Sequence, residues 1–276
     1  MPAKPAPIVI ADSITRVANE AKGAVVVNGS HGGAYAAYAA AKLRVAAAIF
    51  NDAGVGRDKA GIAGLDYLAR LGVPAAAVGH MTARIGDGAD MMARGLVTHA
   101  NALAVALGCG AGMACRDAAA ALARAETDGR EPPSERESAF LLDPGPPAVW
   151  ALDSASAVSP EHVGAIVVTG SHGGLLGGRP ETALKYDALA ALYNDAGIGI
   201  DEAGVTRLPA LDARGIAAAT VAASSARIGD ALSTWEDGIV SRVNACAAAL
   251  GIAPGIPARE LVAILCRAAA DREKAP

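Results

Sequence analysis

Aromatic residues are scarce in this sequence: two Trp, five Tyr and two Phe make up 3% of its 276 residues. This argues against a platform on which the bases of single-stranded nucleic acid would stack. Lys and Arg gather in no single stretch, and the net charge is −4, so the basic surface of a nucleic-acid-binding protein is also lacking. We therefore expect no nucleic-acid partner.

Cysteine is also rare, and the four residues form neither a CxxC pair nor a zinc-ligand spacing. We expect reduced thiols in a cytoplasmic protein. Residues 1–7 show no charged region followed by an apolar run, so we expect no signal peptide. The longest apolar stretch, 102–114, is too short and too rich in Gly to span a bilayer, so we expect no membrane partner. Heavy use of Ala, Gly and Arg indicates a bacterial source with a GC-rich genome.

Common cofactor motifs are missing as well. The sequence contains no Walker loop, no GxGxxG fingerprint and no HExxH. No Lys lies in the strand-end motifs described below, which argues against a Schiff base or pyridoxal phosphate. We predict no organic cofactor. A divalent metal stays possible, because Asp12, His31 and Asp52 are suitable ligand types.

The sequence does contain an internal repeat. GAVVVNGSHGG at 23–33 matches GAIVVTGSHGG at 164–174, and FNDAGVGRDKAGI at 50–62 matches YNDAGIGIDEAGV at 193–205. A third pair, TARIGDG and SARIGDA, follows in the same order, and the spacing differs by only two residues between the copies. We predict a first repeat over residues 1–125, a Pro-rich and charged linker over 126–147, and a second repeat over 148–276.

Each repeat contains four short runs that are apolar throughout, which is typical of parallel strands covered on both faces. The predicted strands are Pro7–Ala11, Ala24–Asn28, Val45–Phe50, Ala75–Gly79, Val149–Leu152, Ala165–Thr169, Ala188–Tyr193 and Ala217–Ala222. Segments with helical spacing lie between them, such as Ala34–Lys42 and Lys59–Leu71, and His99 is expected in the middle of a helix. This alternation predicts an α/β fold of two Rossmann-like βα repeats related by a pseudo-twofold axis, with mostly parallel strands in one sheet or two and flanking helices.

The polar residues kept in both copies follow the predicted strands, where parallel sheets bind ligands. The SHGG turn after the second strand combines a hydroxyl, an imidazole and two flexible peptide N–H groups. We interpret His31 and His172 as catalytic acid–base groups, Ser30 and Ser171 as further catalytic candidates, and the glycine N–H groups as oxyanion donors. Those glycines are Gly32, Gly33, Gly173 and Gly174. The alternative is a tight turn in which the imidazole caps a neighbouring carbonyl.

Two other strand ends carry carboxylates. Asp52 and Asp195 follow Asn51 and Asn194, and each could be a base, a metal ligand or the partner that orients a histidine. We predict that Asn51 and Asn194 help to bind substrate. The alternative is an Asx turn that begins a helix, in which these side chains would not bind substrate. Asp12 and Asp153 follow the first strand of each copy and are further catalytic candidates, although the same residues could simply start a helix.

The fourth motif contains Arg84 and Arg227, which we interpret as clamps for a substrate carboxylate or phosphate. Thr82 and Ser225 lie two residues earlier and are predicted to help bind substrate. Buttressing ion pairs with Asp12 or Asp153 are the alternative role of these arginines, and Asp87 and Asp230 are expected to cap helices. In the first copy His80 alternates with Thr82 and Arg84, whereas the second copy has Ala223 at the matching position, so His80 is an additional catalytic candidate.

Clustering of these side-chain types at one sheet edge predicts an enzyme, preferably a hydrolase of an amide, lactone or other acyl bond in a small anionic metabolite. One alternative is a cofactor-independent racemase, isomerase or lyase at a cleft between the copies. The cofactor-independent amino-acid racemases also use duplicated α/β halves, with one catalytic cysteine in each half. This sequence lacks such a pair, because Cys109 aligns with Ile252 and Cys246 with Leu103. A non-catalytic anion-binding module is the other alternative. We also expect self-association.

Overall fold

The computed structural model describes residues 4–126, 131–134 and 136–274 of the chain. Two separate sheets organise it, one in each repeat, and helices cover both faces of each sheet. The prediction of an α/β fold is therefore confirmed, and the open question of one sheet or two is answered by two. Among the described residues, no helix is long and apolar enough to cross a membrane.

The first sheet has five strands in the sequential order β1 to β5. The first four are parallel, and the last pairs antiparallel at the edge. These strands are β1 Ile8–Ala11, β2 Val25–His31, β3 Ala47–Asn51, β4 Ala75–Val78 and β5 Val97–Ala100. The parallel crossovers bring the carboxyl ends of β1 to β4 to one rim of the sheet.

The second sheet repeats this arrangement and adds one strand. Its four central strands are parallel, and an antiparallel strand pairs at each edge. The strands are β6 Ala139–Asp143, β7 Val149–Leu152, β8 Ile166–His172, β9 Ala190–Asn194, β10 Ala217–Val221 and β11 Val240–Val243. Strand β6 covers the outer edge of β7, whereas β1 is an open edge in the first sheet.

The helices bury small side chains against both faces of the sheets, as the Ala-rich composition favours. Helices of the first repeat are α1 Ala34–Lys42, α2 Ala63–Arg70, α3 Gly88–Arg94, α4 Ala102–Ala106 and α5 Cys115–Leu122. Helices of the second are α6 Arg207–Asp212, α7 Ala231–Asp237, α8 Ala245–Ala248 and α9 Ala258–Lys274. Apolar clusters fill both sides of each sheet, so every central strand is covered twice.

All eight predicted strands and the helix α1 are confirmed, as are the helix caps Asp87 and Asp230, each of which accepts a backbone N–H through its carboxylate. Three expectations were wrong. His99 lies on β5 rather than in a helix, and the helix predicted from Lys59 begins only at Ala63, after a 3-10 turn.

The third correction concerns the predicted linker. It contains β6, because Phe140 and its neighbours can pair with the edge of β7. Residues 127–130 and 135 of this linker lie outside the described residues. The repeat boundaries themselves stay a prediction.

The two repeats meet along their strand-end rims through reciprocal contacts. The Arg57 N–H donates to the Ala223 carbonyl (2.8 Å), and the Ile200 N–H, at the position matching Arg57, donates to the His80 carbonyl (2.9 Å). Gly54 lies against Gly197 so closely that a Cβ at Gly54 would be 2.9 Å from the Gly197 Cα. Such exchange of equivalent contacts is what a pseudo-twofold relation between the repeats produces. We call this contact zone the seam.

Candidate functional site

A cleft of about 570 Å³ opens between the repeats beside the seam, at the carboxyl ends of β1 and β2 and of β7 and β8. Both repeats contribute polar side chains to it. The residues that line it include Ser30, His31, Glu137, Ser171, His172 and Arg207. We call this cavity the cleft.

The imidazoles of His31 and His172 are held in the same way. The Gly33 N–H donates to His31 Nδ1 (3.1 Å), and the Gly174 N–H donates to His172 Nδ1 (3.2 Å). A ring nitrogen that accepts a hydrogen bond carries no proton, so the proton of each neutral ring lies on Nε2. Each His is therefore a hydrogen-bond donor at Nε2, and protonating its ring would set Nδ1–H against a backbone N–H.

Burial keeps both rings neutral. Loss of solvation lowers the pKa of His31 from 6.5 to about 4. Burial lowers the pKa of His172 well below its usual value too, and the neighbouring charges of Arg207 and His31 lower it further. Both rings line the cleft, one from each repeat. At neutral pH they form a pair of uncharged donors.

Ser30 and Ser171 line the cleft, but their hydroxyls hold the neighbouring turns. Ser30 Oγ accepts the Ile14 N–H (3.0 Å), and its own proton is directed at Ser13 Oγ (3.3 Å). Ser171 Oγ accepts the Ala155 N–H (2.9 Å). No imidazole nitrogen among the described residues accepts either hydroxyl, so neither serine has a base to activate it as a nucleophile.

Arg207 is the most informative residue of the cleft, and the sequence analysis did not single it out. Only 6% of it is exposed, and its guanidinium donates to the carbonyls of Gly174 (3.0 Å), Thr182 (3.0 Å) and Ala183. Its carbon Cζ lies 5.0 Å from the centre of the Tyr193 ring. Among the described residues no carboxylate lies within 4 Å of it, so within this part of the chain the buried positive charge has no counterion.

Burial lowers the pKa of the Arg207 guanidinium, and the nearby charge of Arg16 acts in the same direction, while Tyr193 opposes both. Arg16 lines the cleft as well. An anion bound in the cleft would relieve this unfavourable charge arrangement, because a buried cation is stabilised by a partner of opposite sign.

The presence of Arg207 follows from a difference between the repeats. The matching residue of the first repeat is Gly64, where a Cβ would be 2.6 Å from the Ala37 Cβ of helix α1. The second repeat replaces α1 by two 3-10 turns, Leu176–Gly178 and Pro180–Thr182. Losing that helix leaves room for a long side chain, which Arg207 occupies.

Glu137 is a second residue that the sequence analysis missed, because it belongs to the predicted linker. It lines the cleft just before β6. Burial raises the pKa of its carboxyl; a hydrogen bond from Ser154 acts against this rise, and the charge of Asp153 adds to it. A carboxyl whose pKa is raised holds a proton more readily than a free one, so it can both accept and donate a proton. No pattern in the sequence marked it, since charged residues are common in linkers.

Asp52 and His80 form a hydrogen-bonded pair, but outside the cleft. His80 Nδ1 lies 2.7 Å from Asp52 Oδ1, and the Thr98 hydroxyl donates to Asp52 Oδ2 (2.9 Å). Burial by itself raises the pKa of Asp52, but the hydrogen bonds from His80 and Thr98 and the proximity of His80 lower it overall. These residues and Asp195 lie at the ends of β3, β4 and β9, so the structure separates them from His31 and His172.

Most of the predicted substrate-binding groups already have partners within the protein. The N–H groups of Gly32 and Gly173 donate to the backbone carbonyls of Asn51 and Asn194. The N–H groups of Gly33 and Gly174 donate to Nδ1 of His31 and His172. Asn51 and Asn194 are buried and bridge to the carbonyls of Ala83 and Ala226. Substrate binding by these atoms stays a prediction, and it would require these hydrogen bonds to break.

Arg84 and Arg227 lie on the seam rather than in the cleft. Arg84 pairs with Asp201 (2.9 Å), and Arg227 pairs with Asp58 (3.2 Å), the matching residue of the other repeat. The alternative from the sequence was therefore right about ion pairing but wrong about the partners. The predicted substrate contacts of both arginines, and of Thr82 and Ser225, stay predictions. The hydroxyls of Thr82 and Ser225 close their own loops by accepting the N–H groups of Leu96 and Ile239.

Asp12 and Asp153 tie the ends of β1 and β7 to the following elements. Asp153 accepts the N–H of Ala231 (3.0 Å), the first residue of α7, and Asp12 accepts the N–H of Gly88 (3.4 Å) at α3 and pairs with Arg179 (3.1 Å). Asp153 also lines the cleft. These contacts give both carboxylates a positioning function, and a catalytic role for them stays a prediction.

The suggested metal ligands Asp12, His31 and Asp52 are not brought together. Within the described parts of the chain, no group of three or more His, Cys, Asp or Glu side chains could hold a metal ion. In comparisons with known proteins, no family model, no curated protein and no solved structure matches the chain. The cleft between the repeats is therefore the feature on which a function has to be argued.

Proposed function

We propose that the chain is an enzyme that hydrolyses an acyl bond, an amide or a lactone, in a small carboxylate-bearing compound bound in the cleft. The observation that supports this most is the buried Arg207, a cation without a carboxylate partner, beside two neutral imidazoles that donate from Nε2. An anionic group of the substrate would complete the surroundings of Arg207. The carbonyl to be attacked would then lie beside the imidazoles.

In the proposed reaction, a water molecule gives a proton to the Glu137 carboxylate as its oxygen adds to the substrate carbonyl. The negative charge that develops on the carbonyl oxygen is stabilised by hydrogen bonds from Nε2 of His31 and His172. The tetrahedral intermediate then collapses, the bond to nitrogen or to the ring oxygen breaks, and Glu137 returns the proton to that leaving group. Water is consumed, and an acid and an amine or alcohol are formed.

This assignment revises the roles of the residues. The two histidines are poor bases, because Nε2 already carries the ring proton and a second proton would have to bind at Nδ1, where it would face a Gly N–H. In this proposal the two histidines are the oxyanion donors, the role that the sequence suggested for the glycine N–H groups. In this proposal Glu137 is the base, because it lines the cleft and burial raises the pKa of its carboxyl.

The experiment is a panel of N-acyl amino acids and carboxylate-bearing lactones, with product release followed by mass spectrometry. We expect at least one member to be hydrolysed, and kcat/KM to fall at least about 100-fold in His172→Ala, the usual cost of losing an oxyanion donor. Arg84→Met is the matched control, since Arg84 is a paired arginine outside the cleft. Absence of hydrolysis throughout the panel, or equal loss in the control, would contradict the proposal.

An isomerase or lyase that removes a proton next to a carbonyl is a second candidate. The same pair of imidazole donors, one from each repeat, would stabilise an enolate, and Glu137 would accept the carbon-bound proton. Cysteine chemistry of the racemase type is not favoured, because burial raises the pKa of all four thiols, that of Cys115 to about 12. Exchange of substrate C–H for deuterium in heavy water without hydrolysis would select this candidate over the hydrolase.

Binding of an unchanged anion, with neither exchange nor hydrolysis, would instead identify the cleft as an anion receptor. We also keep as proposals a cytoplasmic location, in keeping with four cysteines that form no disulfide, and self-association of the chain.

A further inference from the structure

A shallow hollow of about 430 Å³ lies on the seam, away from the cleft, and shares none of its lining residues. The first repeat contributes His80 and the Gly54–Gly56 turn to it. The second repeat contributes Asp195, Gly197 and Ser224. The hollow is therefore built by both repeats, like the cleft, but at the ends of the other strands.

His80 has the opposite proton arrangement to the two histidines of the cleft. Asp52 is an ionised acceptor, because hydrogen bonds hold its pKa below the usual value, so the proton of the neutral His80 ring lies on Nδ1 and points at Asp52. Nε2 then carries a free lone pair. The His80 side chain is 25% exposed, and a Cβ at Gly197 would be 3.2 Å from Nε2, which places this atom at the seam.

Asp195 supplies a second acceptor. It is only 4% exposed, and its Oδ1 accepts the N–H groups of Gly197 (2.9 Å) and Ala223 (2.8 Å). Among the described residues, Oδ2 accepts no hydrogen bond. In the first repeat the matching oxygen of Asp52 is occupied by Thr98, whereas the matching Ser241 bonds to Thr220 instead. Oδ2 is not a fully buried atom, and Asp195 lines the hollow, so a ligand that enters the hollow can donate a hydrogen bond to it.

The charges around the hollow favour a cation. Asp195 lines it, and Asp52 lies behind its lining residue His80. The positive side chain in its lining, Arg57, is already engaged by Asp237 (3.2 Å), by Asp58 and by the Ser225 carbonyl (2.7 Å). A ligand that offers N–H donors and a positive charge would satisfy both the His80 lone pair and the Asp195 oxygen.

We propose that this hollow is a second binding site, independent of the cleft, for the protonated amino group of a small molecule, which donates one N–H to His80 Nε2 and another to Asp195 Oδ2. The proposal does not rest on the hydrolase function, because it uses none of the cleft residues. Asp52 acts as a positioning residue that fixes the His80 tautomer.

Methylammonium is the probe, and the readout is the Nε2 signal of His80 in protein labelled with ¹⁵N-histidine, at constant ionic strength. We expect this signal to move saturably at millimolar concentrations, with the signals of His31 and His172 unchanged. Asp195→Asn keeps an acceptor for both backbone N–H groups and should weaken the response at least about fivefold, the size of one charge-assisted hydrogen bond. Asp187→Asn, which alters an exposed carboxylate far from the hollow, should leave it unchanged.

Tetramethylammonium carries the same charge but no N–H, and zinc tests the alternative of a metal ligand. A response to methylammonium but to neither of these supports the proposal. An equal response to tetramethylammonium, a response to zinc alone, or no response to methylammonium overturns it. His80→Ala, the residue of the second repeat, provides an independent check by calorimetry, in which methylammonium binding should disappear.

Discussion

The two repeats share their strands and seam contacts but differ in what they add to the rims. The first keeps helix α1 and has Gly64 packed against it, whereas the second lacks that helix and has Arg207 in the space. The first has His80 beside Asp52, and the second has Ala223 beside Asp195. Within the described parts of the chain, Arg207 then has no carboxylate within 4 Å, and Oδ2 of Asp195 accepts no hydrogen bond. The duplicated fold is therefore asymmetric at two places, the cleft and the hollow on the seam, and both are candidate binding sites.

The three histidines of these sites also differ in which ring nitrogen carries the proton. His31 and His172 accept a backbone N–H at Nδ1 and donate from Nε2, whereas His80 donates from Nδ1 to a carboxylate and keeps a lone pair on Nε2. The residue type is the same, and the neighbouring group decides whether the ring is a donor or an acceptor towards a ligand.

The largest effect is expected from removing the charge that distinguishes the second repeat. Arg207→Met should lower kcat/KM for a carboxylate-bearing substrate at least about 100-fold, because a buried charge-assisted contact is lost. Arg207→Lys should recover part of the activity if charge matters as well as shape. Steady-state kinetics measure this. If both variants turned over substrate like the wild type, Arg207 would be a structural residue only.

The seam can be broken through its closest backbone contact. Gly54 has φ +72° and lies against Gly197, so Gly54→Ala adds both backbone strain and a clash and should lower the free energy of unfolding by about 2 to 4 kcal/mol. Gly23→Ala is the matched control, because Gly23 also has a positive φ (+69°) but no atom within 4 Å of a Cβ. Urea denaturation should show a clearly smaller loss there; equal losses would mean that the seam contact is unimportant.

Lowering the pH should test the neutral imidazole pair. His31 has a folded-state pKa of about 4, below the unfolded value of 6.5, so the unfolded chain takes up the proton first. Stability is therefore complete above pH 6.5 and is lost as the pH falls from there towards 4, by roughly 1 to 2 kcal/mol at pH 5 for this residue. Urea midpoints at pH 7 and 5 measure the change, and His31→Gln should reduce it. An unchanged slope in that variant would contradict a buried neutral ring.

The smallest effect is expected from the exposed ion pairs of the seam. Arg84→Met removes the pair with Asp201, but the side chain is 47% exposed and Arg94 still binds the same carboxylate. The loss should be about 0.2 to 1 kcal/mol and should shrink further in high salt. Thermal unfolding at two salt concentrations measures it, and a loss comparable to that of Gly54→Ala would mean that charge, not close packing, holds the repeats together.

Sequence reasoning reached the strands and the repeat because fully apolar runs and duplicated motifs are local signals. It also located His31 and His172 at strand ends, and both line the cleft where the rims of the two sheets meet. Strand β6 was missed because its apolar residues lie within a segment rich in Pro and charge. Arg207 was missed because its importance comes from a deleted helix elsewhere in the repeat, and the roles of the Gly N–H groups depend on hydrogen bonds that no spacing reveals.

The most direct test is to locate a carboxylate in a crystal of the intact chain. Soaking with 4-bromobenzoate allows the bromine to be found by anomalous scattering, and the density then places the carboxylate. We predict one molecule per chain, in the cleft, with its carboxylate at Arg207 and within reach of the two imidazoles. Binding at the paired arginines of the seam, or two equivalent molecules related by the pseudo-twofold axis, would contradict a single one-sided anion site.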